Sequence, residues 1–165
     1  MGEPSKTRSA RIVKKQIGKR LPRPGMLVEG DVIAIPLKDN RHGYARTYAD
    51  ARLGILDIAP TEDPLSLEEI KQRGGRVTFF MGYAEPTDHP EWIYLGCWSF
   101  GSKQEATPPP VYVEDVLSPG SYNILDGHRF YRATKEQITG LEEQVLNFPE
   151  HIRERVEKHF EGRMR

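Results

Sequence analysis

From residue 27 to residue 133 the chain is a succession of short runs of branched and aromatic residues, broken by prolines, glycines and aspartates. That punctuation favours strands joined by turns. Residues 27–37 (LVEGDVIAIPL) carry Val32, Ile33 and Ile35, whose branched side chains suit a pleated surface. Gly30-Asp31 reads as the turn into this strand, and Pro36, which has no N–H to donate, as its end. A polar loop over 38–43 leads to a returning strand over 44–49, which makes a hairpin. Residues 53–59 form a third strand.

The later segments obey the same logic. Ser66 with Glu69 is a capping box, so a short helix is predicted near 64–73, ended by Gly74-Gly75. Residues 76–84 (RVTFFMGYA) and 92–100 (WIYLGCWSF) read as strong strands, and 111–116, 122–125 and 129–133 as shorter ones. Asp126-Gly127 is a hairpin-turn pair. Thr134 with Gln137 is a second capping box, and Ile138, Leu141 and Val145 recur at helical spacing. Pro149 fits the first turn of a final helix, with Ile152, Val156 and Phe160 on one face. The predicted class is α+β: a strongly bent antiparallel sheet or small β-barrel, one short internal helix and two C-terminal helices.

Charge divides the chain. Net charge is zero, from 24 Lys+Arg and 24 Asp+Glu. Residues 1–24 hold eight basic residues and one acid, a net of +7, which leaves the rest at −7. This reads as a basic, flexible leader over 1–24 and a single domain over 25–165. No apolar run approaches the roughly 18 residues of a membrane span, and the basic N-terminus lacks the apolar stretch of a secretory signal. Cys97 is the only cysteine. An internal disulfide and a Cys-based zinc finger are therefore excluded, and a reducing, cytoplasmic location is the simplest expectation.

The search for chemistry is mostly negative. Cys97 precedes Trp98, but Tyr94, Leu95 and Gly96 stand where a papain-like signature needs other residues. In an apolar strand it reads as a small buried hydrophobe. Ser99 lacks the glycine frame of a nucleophile elbow. His42, His89, His128, His151 and His159 form no tight metal spacing. No phosphate-binding glycine loop is present, and no cofactor is expected. Phe79, Phe80, Tyr83, Trp92, Tyr94 and Trp98 lie on two strands, where alternation turns about half of them inward, so a core accounts for most.

Residues 30–37 (GDVIAIPL), with Gly43-Tyr44-Ala45-Arg46 after them, resemble the opening strands of the immunity protein 26 family. Residues 92–96 (WIYLG) and Pro109-Pro110 resemble its downstream features. Together they span about 27–113, leaving the leader and the C-terminal region outside. The resemblance implies a non-enzymatic α+β protein, encoded beside a bacterial polymorphic toxin, that binds and neutralises that toxin in the producer's cytoplasm. It does not fix the toxin's chemistry. Gly30, Pro36 and Gly43 read as backbone determinants, and Asp31 and Arg46 as a pair across the hairpin. An acidic body suits a toxin with a basic groove, such as a nuclease. The candidate partner-binding residues are Asp39, Glu85, Asp88, Glu91, Glu114, Asp115 and Asp126, on loops 38–43, 85–91 and 117–128 and their flanks. The rival reading is a nucleic-acid-binding small barrel acting through residues 1–24. An enzyme using His42, His89 or His128 is a third.

Overall fold

The computed structural model describes residues 27–83, 91–127 and 129–163. In chain order the elements begin with β1 (Asp31–Pro36), β2 (His42–Tyr48), β3 (Arg52–Leu56), α1 (Leu67–Gln72), β4 (Val77–Tyr83), β5 (Ile93–Cys97) and α2 (Lys103–Ala106). They continue with β6 (Val111–Glu114), β7 (Tyr122–Asp126), β8 (Arg129–Ala133), β9 (Glu142–Glu143), β10 (Leu146–Asn147), α3 (Pro149–Phe160) and a 3-10 turn over Glu161–Arg163.

The strands make two sheets. The larger has the order β10-β4-β3-β2-β1-β5 and the smaller β8-β7-β6-β9. Both orders are linear, so no closed barrel forms among the described residues; the mixed α+β class stands, and the bent-sheet form of the expectation fits.

The larger sheet is covered on both faces. Ile33, Ile35, Ala45, Leu53, Ile55 and Met81 pack on one side against Ile152, Val156 and Phe160 of α3. Val32, Ala34, Tyr44 and Leu56 pack on the other with Ile58, Leu65 and Ile70 of α1. This two-sided burial explains why β1 and β3 read as nearly continuous apolar runs. Gly43 is a close-approach residue, since a Cβ there would lie 2.7 Å from Val156 Cγ1. Gly30 is a turn residue at φ 93°. Asp31 and Arg46 do not pair as expected. Asp31 instead accepts hydrogen bonds from the Val28 N–H at 2.8 Å and from the Tyr94 hydroxyl at 3.3 Å, and the Arg46 guanidinium donates to the Trp98 carbonyl.

The helix α1 begins as expected. Ser66 Oγ accepts from the Glu69 N–H, and Glu69 Oε2 accepts from the Ser66 N–H at 2.7 Å. The helix α3 spans the expected stretch, with Pro149 at its first turn.

Several expectations are corrected. The capping box at Thr134 and Gln137 forms, but it leads only into turns, so the first of the two C-terminal helices is absent. Gly140, at φ 84°, turns the chain out of helical geometry, and residues 142–147 become extended. The third helix is instead α2, one turn capped by Ser102 within the segment read as a loop. Asp126 still pairs with Arg129 and so ends β7, and Gly127, at φ 59°, is the turn residue of the expected pair. Cys97 is exposed rather than buried, since it ends β5 instead of lying inside it.

The run 142–147 joins the two sheets. β9 pairs parallel with β6, and β10, which begins three residues later, pairs parallel with β4. Gly82 permits this, since a Cβ there would lie 2.9 Å from the Val145 carbonyl oxygen.

Candidate partner-binding surface

Glu85 and Asp88 lie outside the described residues, as do the leader, His89 and His128. The remaining five candidates do not share one place, although Glu114 and Asp115 are adjacent. Asp39 sits in the β1–β2 loop, where its carboxylate accepts from the Arg41 backbone N–H at 3.2 Å and its Oδ2 lies 3.3 Å from Arg41 Nε. It lines a hollow with Glu154, Glu157 and Glu161 of the later α3 region. Glu91 lines a different hollow with Trp92, Pro149, Glu150 and Arg153 at the start of α3. The two hollows follow one another along the helix, and at about 1.5 Å of rise per residue their centres lie roughly 10 Å apart.

Glu114, Asp115 and Asp126 belong to the smaller sheet. Glu114 faces Tyr122 at one end of β7, while Asp126 faces Arg129 at the other. The strand between those ends spans about 13 Å. Asp126 is paired at 3.1 Å with Arg129. The seven candidates therefore do not gather into one acidic patch among the described residues.

Glu114 and Asp115 do something more specific. Glu114 Oε1 accepts the Gly120 N–H at 2.8 Å, and Asp115 Oδ1 accepts the Leu117 N–H at 2.9 Å. Backbone bonds complete the loop: Asp115 N–H to the Ser121 carbonyl, Ser118 N–H to the Asp115 carbonyl and Ser121 N–H to the Ser118 carbonyl, at 2.8–3.1 Å. Gly120, at φ 86°, supplies the left-handed residue that the closure needs. Arg132 Nη2 donates to Ser121 Oγ at 2.8 Å and ties the loop to β8.

The loop so fixed presents Val116, 90% exposed, and Leu117, 93% exposed. On β8, the edge strand of the sheet, Phe130 is 64% exposed and Tyr131 is also exposed. Phe130 and Arg132 share a face of β8, about 7 Å apart along the strand. The opposite face packs inward, with Ile124 and Ala133 against Ile138 and partly buried Tyr112, Tyr122 and Leu141.

Sequence reasoning places Val116 in a strand and Leu117 in a loop, and it gives neither a role. An apolar pair between Glu114-Asp115 and Ser118-Pro119-Gly120 is the signal that points to the surface. The six strand aromatics expected to serve mainly as core are all buried or half-buried. Among the described residues no group of three or more His, Cys, Asp or Glu has metal-site geometry, and no helix is long and apolar enough to cross a membrane. The chain matched none of the protein families, curated proteins or solved structures with which it was compared.

Proposed function

We propose that the protein is an immunity-type inhibitor that captures a cognate bacterial toxin and blocks its active site or an adjacent surface. The observation that carries this reading is the loop 115–121: two large apolar side chains almost fully exposed on a backbone held by five hydrogen bonds. Exposed apolar groups of this kind mark interaction sites. A loop fixed before binding also loses less conformational freedom on docking, which favours tight capture. Glu114 and Asp115 shape the loop from within, and the −7 charge of residues 25–165 draws a basic partner toward it. The resemblance of residues 30–46 to immunity protein 26 supports the same reading. In this chain those motif residues build the larger sheet.

The test is affinity capture from the source cells' extract by the immobilised full-length protein, with and without nuclease treatment. A Val116→Asp/Leu117→Asp variant is run beside it. The expected result is one near-stoichiometric polypeptide, retained after nuclease, lost from the variant, and inhibited when the protein is added back. Retention by the variant would remove the loop from the interface. Capture of nucleic acid alone, abolished when residues 1–24 are deleted, would replace this reading with the nucleic-acid-binding one.

A further inference from the structure

Five cations among the described residues have a carboxylate beside them: Lys38 with Glu157, Arg41 with Asp39, Lys71 with Glu68, Arg76 with Asp57 and Arg129 with Asp126. Arg155, Lys158 and His159 lie together at one end of α3. All three are exposed on the last turns of α3, and no carboxylate among the described residues pairs with any of them. With Thr78 and Phe79 of β4 they line a cleft of about 470 Å³. No acid lines it.

Two of these side chains are held in place by neutral groups. The Arg155 guanidinium lies 4.8 Å above the Phe79 ring. The His159 ring meets Phe79 edge-on at 5.1 Å and Phe160 at 4.7 Å, and its Nε2 is 3.0 Å from Thr78 Oγ1. When Nε2 carries the proton it donates to Thr78, and the hydroxyl proton is then free to point into the cleft. Stacking leaves the guanidinium N–H groups at its rim unspent. Lys158 borders both this cleft and the hollow lined by Lys38, Asp39, Glu154, Glu157 and Glu161.

We propose that this cleft binds the phosphate groups of a small phosphorylated molecule, of the size of a nucleotide. The donor set is one that phosphate recognition uses: a planar guanidinium for two oxygens, an ammonium as a point charge, and the Thr78 hydroxyl, oriented by His159, for a further oxygen. The volume falls within the range of small-molecule sites. A helix C-terminus attracts cations through its dipole, which accounts for their presence on α3. It does not account for Thr78 and Phe79, on another element, orienting two of them toward a common space. The site is separate from the loop 115–121 and stands whether or not that loop captures a toxin.

The experiment titrates the full-length protein with pyrophosphate, with ADP and with adenosine, monitored by NMR at the Thr78 amide and the His159 ring. Pyrophosphate and ADP are expected to shift both signals saturably, and adenosine to leave them unmoved. Arg155→Gln and Lys158→Gln, on exposed positions, are each expected to weaken pyrophosphate binding at least about 5-fold, the loss of one charge-assisted bond, while Lys71→Gln leaves it unchanged. The basic residues 1–24 are a competing anion binder within the same chain. Binding that leaves the Thr78 and His159 signals still, or that survives an Arg155→Gln/Lys158→Gln double variant at full affinity, would place the anion on that segment and overturn the proposal. No binding of either phosphate would overturn it equally.

Discussion

Arg46 holds Trp98 in two ways: its Nε donates to the Trp98 carbonyl oxygen at 3.1 Å, with Nη2 donating to the same atom, and its guanidinium carbon lies 4.3 Å from the indole centroid. It is also 3.6 Å from the Phe100 centroid. Burial lowers the arginine's pKa, yet the guanidinium remains charged, with a carbonyl and two ring faces as its main company. Arg52 reaches the Pro109 carbonyl at 3.4 Å, so two buried arginines grip the segment that leads from the larger sheet to the smaller one at both of its ends.

Replacing Arg46 by lysine keeps the charge but loses the fork and the stacking. The expected cost is about 2–3 kcal/mol, the range for losing hydrogen bonds from a charged buried group. Urea denaturation monitored by tryptophan fluorescence measures it. A midpoint equal to that of the wild type would mean that the grip on Trp98 contributes nothing net.

Gly43 and Val156 make a second, purely steric, relationship. An added Cβ at Gly43 would meet Val156 Cγ1 at 2.7 Å, so Gly43→Ala forces β2 and α3 apart. Overpacking of this kind costs about 1–3 kcal/mol. Val156→Ala opens space but leaves a cavity. The double variant is expected to be more stable than the sum of the two losses implies, by roughly 1 kcal/mol of coupling. Strict additivity in a double-mutant cycle would show that the two positions do not touch.

Where local chemistry decides the structure, the sequence is a good guide. Ser66 and Glu69 satisfy each other's ends, and α1 starts where they say. Ile152, Val156 and Phe160 share a face, and that face is buried. The segment 134–147 shows the limit. Thr134 and Gln137 bond as a capping box in either outcome, since the box fixes only the first turn. The course of the chain beyond that turn is decided by two remote edges, Val111–Tyr112 and Gly82–Tyr83, that accept two residues each. Pairings so short leave no periodicity to read. The proposed partner surface is partly legible for the same reason: the acids Glu114 and Asp115 stand out by type, but their inward bonds to Gly120 and Leu117 appear only once the loop is closed.

Tyr44 links the hairpin to the segment before α1, since its hydroxyl accepts the Leu65 N–H at 2.9 Å and bonds to Thr61. Burial raises its pKa above the ordinary 10.0, against the lowering effect of those bonds. Below about pH 10 the phenol is protonated in folded and unfolded chains alike and adds no pH dependence. Above that, the unfolded chain loses the proton first, so stability falls as pH rises toward the folded value. Tyr44→Phe is expected to lose about 1–3 kcal/mol at neutral pH, because the Leu65 N–H is left unpaired. It is also expected to flatten the decline of stability above about pH 10. Burial raises Tyr48 too, so part of the decline persists. Urea midpoints at about pH 8, 10 and 11, which bracket the unfolded phenol's titration, measure both effects. An unchanged alkaline slope in the variant would exclude Tyr44 as its source.

Glu114 has two separable properties, a charge and an acceptor for the Gly120 N–H. Glu114→Gln removes the charge and keeps an acceptor oxygen at the same reach, whereas Glu114→Ala removes both. If the residue serves to hold Val116 and Leu117 in place, amide exchange at Gly120 rises in the alanine variant and stays near wild type in the glutamine variant. A bond of about 1 kcal/mol corresponds to roughly a 5-fold change in exchange. Global stability is expected to stay within about 0.5 kcal/mol in both, since the site is on the surface. Once a partner is captured, the same pair divides its kinetics. Loss of steering slows association in both variants at low salt, and loss of loop order worsens binding in the alanine variant alone. Equal Gly120 exchange in all three proteins would show that the loop is held without Glu114, and would leave its charge as the only property a partner can read.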